Sequence, residues 1–143
     1  MYVKNILARK GSDVVSISPT GTMLELAKVL RENKIGAILA CETDGKMCGV
    51  ISERDIVIGI ARSGASILDK PVADYMTTGV YTCTAEDTIK HVMEVMTSRR
   101  IRHLPVVGED GSIAGMISIG DVVKERMSET EAEAEALKAY IAT

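Results

Sequence analysis

An internal repeat is the feature that most constrains this chain. The stretch "GVISERDIV", Gly49 to Val57, is followed 66 residues later by "GMISIGDVV", Gly115 to Val123. The same offset aligns residues 14–57 with residues 80–123 without a gap. Identical pairs along this match include Val14/Val80, Thr22/Thr88, Ile35/Ile101, Asp44/Asp110, Gly45/Gly111, Ser52/Ser118 and Asp55/Asp121. A register that never slips predicts two copies of one structural unit.

Each copy begins with a predicted strand and an amphipathic helix. The strands are "VVSIS" and "VYTCT", and the helical segments are 19–34 and 85–100. Apolar residues recur in these segments with the i, i+3, i+4, i+7 spacing of one buried helix face. They are Met23, Leu26, Ala27 and Leu30 in the first copy, and Ile89, Val92, Met93 and Met96 in the second. Thr22 and Thr88 stand where a helix could start.

The second half of each copy predicts a hairpin and another helix. The apolar runs "IGAILAC" and "IRHLPVV" suit strands buried on both faces. An Asp-Gly pair follows each run, and this pair favours a tight hairpin before the returning strands "MCGVIS" and "IAGMIS". Ser52 and Ser118 then occupy N-cap positions. The predicted unit is therefore β-α-β-β-α, present twice.

Composition excludes some classes of function. The chain has 143 residues, 46% of them hydrophobic, and a net charge of −3. This balance argues against a DNA or general nucleic-acid binder, which needs a basic surface. The three cysteines form no Cys-x-x-Cys, no apolar run could span a membrane, and the first residues lack a signal peptide's apolar segment. We therefore expect a cytoplasmic protein.

The segments Ser52-x-x-Asp55 and Ser118-x-x-Asp121 have two compatible interpretations. A Ser N-cap with an acidic residue three positions later satisfies free amides at a helix start. The same arrangement can bind a nucleotide, because helix N-terminal amides attract phosphate and a carboxylate can accept both ribose hydroxyls. We expect the preceding Gly49 and Gly115 to keep the backbone open to a ligand.

Taken together, these motifs resemble the CBS domain family. A tandem β-α-β-β-α unit ending in Gly-apolar-apolar-Ser-x-x-Asp carries the resemblance, as do "KPVADYMT" before the second copy and "RHLPVV" before its hairpin. The resemblance implies an α/β (α+β) fold in which two CBS units pack as a pseudo-two-fold disk. We place the first unit at 1–63, a connector at 64–74, the second unit at 75–127 and a helical tail at 128–143.

The resemblance also implies a regulatory module that binds adenosyl ligands: AMP, ADP, ATP, NAD(H) or S-adenosylmethionine. In the family the Asp of Ser-x-x-Asp holds the ribose, and the residues before the apolar strand line the cleft. The binding residues carried over are Ser52, Asp55, Gly36, Ala37 and Thr77, and Ser118, Asp121, Arg102 and His103. The first copy departs from the pattern at Leu39, where the second copy has Pro105.

The two sites are not expected to be equal. Arg102 can make a bidentate phosphate contact. Arg54 has the family position that reaches toward the other copy's ligand, whereas its counterpart in the second copy is Gly120. We therefore expect Asp121 to belong to the stronger nucleotide site, with Arg54, Arg102 and His103 near the phosphates. His91 and His103 have no Cys, His or Asp at ligand spacing, so no metal site is expected.

Three functions remain open. The first is a nucleotide sensor of energy or redox state that acts on a separate, unknown protein and pairs as a homodimer through its helices. The second is an enzyme, which we do not expect because the chain has no Walker motif, no Gly-x-Ser-x-Gly and no metal triad. The third is a structural or dimerisation module without nucleotide, in which Ser-x-x-Asp is only a cap.

Overall fold

The structure is a computed structural model that describes residues 1–142. Helices and short strands alternate along the chain as the repeat predicts. In chain order they are α1 (Val3–Lys10), β1 (Ser16–Ile17), α2 (Met23–Asn33), β2 (Ala37–Cys41), β3 (Met47–Ser52), α3 (Glu53–Ser63), α4 (Ile89–Arg99), β4 (His103–Val107), β5 (Ile113–Ser118) and α5 (Ile119–Ala142). Two short 3₁₀ helices, Ala65–Asp69 and Val72–Asp74, lie in the predicted connector.

The chain divides into two compact units. The first-repeat unit consists of residues 13–81 and the turn 109–113. The second-repeat unit consists of residues 1–12, residues 82–108 and, among the described residues, 114–142. From the sequence we assign the first twelve residues to the first CBS unit. In the structure these residues pack with the second-repeat unit.

The first-repeat unit is built on a three-stranded sheet in the order β1-β2-β3. Strand β1 pairs parallel to β2, and β2 pairs antiparallel to β3 with a bulge beside Cys41. Helix α2 starts as predicted, because the Thr22 hydroxyl accepts the Glu25 amide at 3.1 Å. The buried core joins the helices, sheet and connector: Met23, Leu26, Leu30, Ile38, Ala40, Ile51, Ile67 and Val72.

The second-repeat unit contains the β4-β5 hairpin, α4, α5 and the N-terminal helix α1. The reason α1 belongs here is its apolar face, because Val3 and Ile6 are fully buried among second-repeat residues. Its core also contains Cys83, Ile89, Val92, Met96, Leu104, Val106, Ile117 and Val122. Thr88 caps α4, as predicted, by accepting the His91 amide at 3.0 Å.

The prediction of a strand at "VYTCT" is wrong. Only Cys83 pairs, donating its amide to Pro105 O at 3.0 Å and accepting from the Val107 amide at 2.9 Å. The pairing stops there because the Thr84 amide bonds instead to the Asp87 carboxylate at 2.9 Å. Burial, followed by the nearby charge of Asp87, raises the pKa of the Cys83 thiol to about 12, so this thiol is an uncharged core group.

The hairpins and the tail follow the sequence prediction. Gly45 and Gly111 have φ of +84° and +80°, the left-handed conformation that a tight Asp-Gly turn requires. The tail continues α5 without a break as far as Ala142, and Thr143 lies outside the described residues. Within residues 1–142, no helix combines the length and apolar character needed to cross a membrane.

Candidate functional site

Both Ser-x-x-Asp segments start helices. In the first repeat, the Ser52 amide donates to Asp55 Oδ2 at 2.8 Å, and the Ser52 hydroxyl donates to the same oxygen at 3.1 Å. These bonds fix the carboxylate beside the first turn of α3, where the helix dipole favours negative charge. The capping interpretation is therefore confirmed for Asp55.

The second repeat makes a reciprocal version of the same cap. The Ser118 amide donates to Asp121 Oδ2 at 2.9 Å, and the Asp121 amide donates to the Ser118 hydroxyl at 3.2 Å. Asp121 is half-buried, as Asp55 is. Each repeat thus presents one positioned carboxylate at the start of its last helix.

The residues before each buried strand lie at the same helix starts. Gly36 O accepts the Glu53 amide at 2.9 Å, and Ala37 pairs directly with Ser52 across the sheet. In the second repeat, Arg102 O accepts the Ile119 amide at 2.8 Å.

The side chains of this second pair differ in exposure. The Arg102 side chain is exposed, and His103 is half-buried at the start of β4. The structure therefore brings each predicted pre-strand pair to its own repeat's Ser-x-x-Asp segment.

Thr77 lies on the other side of β3 in the first repeat. Its amide and carbonyl bond to Val50 at 2.9 and 3.0 Å. This contact corrects the role we expected for Gly49. A Cβ at Gly49 would stand 2.8 Å from both Met76 Sδ and Thr77 O, so this glycine admits a neighbouring chain segment rather than a ligand.

Gly115 is corrected in the same way, because a Cβ there would meet Leu7 of α1 at 2.7 Å. Arg54 is exposed on the first turn of α3. Its expected reach toward the other repeat's ligand stays a prediction.

Lys10 is a site residue that the sequence did not reveal. Its ammonium lies 2.7 Å from Asp121 Oδ2 and 3.0 Å from Met116 O. Partial burial alone would raise the pKa of Asp121, but hydrogen bonds from Lys10 and Ser118, with the Lys10 charge, hold that pKa below its ordinary value. No local pattern could predict this contact, because 111 residues separate Lys10 from Asp121.

The first repeat lacks such a cation. Within residues 1–142, the ion pairs include none to Asp55. At the repeat's offset of 66, the position of Lys10 corresponds to Met76, an apolar residue. The two carboxylates are therefore alike in their caps and different in their electrostatic surroundings. The same described residues contain no group of three or more His, Cys, Asp or Glu side chains that could hold a metal ion.

A helix, a β-hairpin and a final helix that starts with a fixed carboxylate occur twice in the chain, which defines a class of tandem-repeat proteins. The CBS domain family model matches residues 3–62 and 72–128, so the chain belongs to the CBS domain family. The tandem repeat and the mixed helix and strand fold are thereby confirmed.

Relatives support the same assignment. A mitochondrial CBS domain-containing protein of Arabidopsis thaliana is 36% identical over 124 residues, which are 84% of this chain and 60% of that protein. A CBS-domain containing protein from Agrobacterium tumefaciens is 44% identical with a TM-score of 0.84, covering 88% of this chain and 99% of that one.

A third relative was solved with a ligand. The CBS domain protein of Pyrobaculum aerophilum, complexed with AMP, is 28% identical with a TM-score of 0.76, covering 85% of this chain and 89% of that one. The chain spans 57% to 66% of the length of the first curated relatives it matches.

Proposed function

We propose that this protein is a regulatory module that binds adenosyl ligands at Asp55 and Asp121 and signals their concentration to a separate partner protein. The observation that carries the proposal is the duplicated helix start that holds a carboxylate by its own Ser amide. A carboxylate fixed in this way can accept the two ribose hydroxyls, and the positive end of the helix dipole at the same helix start favours a phosphate. The AMP complex of the Pyrobaculum relative supports the ligand class.

The proposed site in each repeat contains the residues gathered at the helix start and, in the first repeat, also Thr77 beside β3. Gly36, Ala37, Ser52, Asp55 and Thr77 serve the first repeat. Ser118, Asp121, Arg102 and His103 serve the second. Arg102 supplies a permanent positive charge for phosphate, because a guanidinium stays protonated throughout the physiological range.

AMP is the first ligand to test, followed by ADP, ATP, NAD(H) and S-adenosylmethionine. We expect AMP to raise the melting temperature, because a ligand at a hundredfold excess over its Kd stabilises the folded state by about 2.7 kcal/mol. Calorimetric titration of Asp55→Ala and Asp121→Ala should each show the loss of one site. The matched control is Asp44→Ala, which removes an exposed hairpin carboxylate that bonds only to the Lys46 amide.

A structural or dimerisation module is the alternative. One observation favours it, namely that Asp55 and Asp121 both make helix caps, a structural role that requires no nucleotide. If none of the five ligands changes the melting temperature or produces heat in calorimetry, the nucleotide proposal is wrong and this alternative replaces it.

The regulatory role further needs a conformational or assembly state that the ligand favours. We propose a homodimer formed through exposed apolar helix residues. They are Val57, Ile58 and Ile60 of α3, and Val123 and Met127 of α5. A cytoplasmic location and a non-enzymatic role complete the proposal. Cell fractionation tests the location, and nucleotide turnover assays test the role, because steady product formation lost in Asp121→Ala would indicate an enzyme.

A further inference from the structure

Lys10 forms an ion pair with Asp121, the carboxylate that we propose holds the ribose in the second repeat. The carboxylate oxygen Oδ2 already accepts the Ser118 amide at 2.9 Å, and the Lys10 ammonium is its second donor at 2.7 Å. A carboxylate oxygen has about two acceptor sites, so Ser118 and Lys10 together fill Oδ2, one of the two oxygens that a ribose held through two hydroxyls would use. Because an ammonium bond to a carboxylate is charge-assisted and stronger than a neutral one, a hydroxyl must displace Lys10 at a cost.

At Asp55, the donor that a ribose hydroxyl would have to displace is bound more weakly. Asp55 Oδ2 also has two donors, but the second is the Ser52 hydroxyl at 3.1 Å. A hydroxyl is neutral and can rotate to accept a bond instead of donating one. The second donor to the carboxylate is therefore a neutral, rotatable hydroxyl at Asp55 and a charged ammonium at Asp121.

Helix α1 holds Lys10 in place. The neighbouring Arg9 guanidinium forms an ion pair with Glu125, whose side chain is almost fully buried one helical turn beyond Asp121. Leu7 of α1 packs over Gly115. The Lys10 side chain is nevertheless 43% exposed, so its ammonium can leave Asp121 while the rest of α1 stays in the core.

We propose that Lys10 is a built-in competitor for the second-repeat nucleotide site, and that it lowers the affinity of Asp121 for the ligand. This inference rests on the proposed function. It acts against the order of the two sites that the sequence suggested, because the cost of displacing Lys10 opposes the gain from Arg102. It also makes α1 part of the response, since a bound ribose would release the terminal residue of that helix from α5.

Binding at the second repeat alone can be measured in an Asp55→Ala background with AMP as the probe. Calorimetry would compare Asp55→Ala with Lys10→Met/Asp55→Ala, because methionine keeps the aliphatic chain and removes the charge. We expect the Lys10 change to tighten AMP binding by up to about fivefold, the upper end of the range for a partly exposed ion pair. The control is Lys4→Met/Asp55→Ala, since Lys4 lies on the same helix and pairs with exposed Glu86.

Each outcome decides a separate point. Tighter binding with Lys10→Met and unchanged binding with Lys4→Met supports the inference. Unchanged, weaker or undetectable binding with Lys10→Met, while the wild-type protein binds AMP, overturns the inference and leaves the proposed function standing. A wild-type protein that binds none of the adenosyl ligands overturns both. Urea unfolding of each variant verifies that the protein titrated is folded.

Discussion

At the scale of single residues, local sequence spacing predicts some residues of the candidate site and cannot predict others. Ser52, Asp55, Ser118 and Asp121 were predictable because a helix cap involves residues three positions apart. Lys10 was not predictable, because its partner is distant in sequence and only the folding of α1 against α5 brings the two together.

The Lys10–Asp121 contact predicts a pH dependence. The pKa of Asp121 is lowered in the folded state, so its contribution to stability is present above its ordinary pKa of 3.8 and is lost as the pH falls through the lower, folded value. We expect Asp121→Asn to reduce the free energy of unfolding by about 0.5–1 kcal/mol at pH 7, because it removes a first-turn charge and a partly exposed ion pair. This difference from wild type should shrink below about pH 4, as urea unfolding at several pH values would measure.

The matched variant for this prediction is Lys10→Met. Without the ammonium, the stability lost on acidification should be smaller than in the wild-type protein. A difference between wild type and Asp121→Asn that stays constant down to pH 3 would contradict the assignment of the lowered pKa.

At the scale of elements, helices and hairpins were predicted more reliably than the isolated first strands. Helices α2 and α4 contain their own signal in apolar periodicity and a threonine cap. The strand expected at "VYTCT" reduced to one bridge at Cys83, because strand formation depends on a partner and on competing side-chain bonds. The role of Gly49 was also mistaken, since its neighbour Thr77 lies 28 positions away in sequence.

Gly49 provides the prediction at this scale. Gly49→Ala places a methyl group 2.8 Å from the Thr77 carbonyl, and the backbone must move to relieve the clash. We expect a loss of about 1–3 kcal/mol in the free energy of unfolding. Gly120→Ala is the control, because its Cβ has ordinary contacts on helix α5 and should be neutral or stabilising by up to about 1 kcal/mol. Equal effects in chemical denaturation would contradict the close approach at Gly49.

At the scale of the whole molecule, the repeats in the sequence and the compact units of the structure do not coincide. Helix α1 precedes the first repeat in the chain but completes the core of the second-repeat unit through Val3 and Ile6. Its amphipathic pattern could predict a helix, but periodicity does not say which core the apolar face joins. The boundaries of the family match, residues 3–62 and 72–128, follow the sequence repeat and not the packing.

The end of α5 allows the proposed homodimer to be tested. Every described residue from 130 onward is exposed, so ending the chain at Glu131 should leave the free energy of unfolding unchanged. We expect this shortened protein to remain a dimer in light scattering, because Val57, Val123 and Met127 are retained. Replacing Val123 and Met127 together by glutamate should give monomers. A monomeric full-length protein would contradict the dimer proposal.

The placement of α1 has a consequence for biosynthesis. Lys10 and the Met116 carbonyl it contacts are separated by 106 residues, so α1 leaves the ribosome long before the strand and helix that bury it have been translated. During that interval the apolar face with Val3 and Ile6 has no native partner, while residues 13–81 can already assemble most of their own core. Closing so long a loop is slow relative to local contacts. The nascent chain therefore exposes helix α1 to chaperones and proteases until β5 and the start of α5 have been translated.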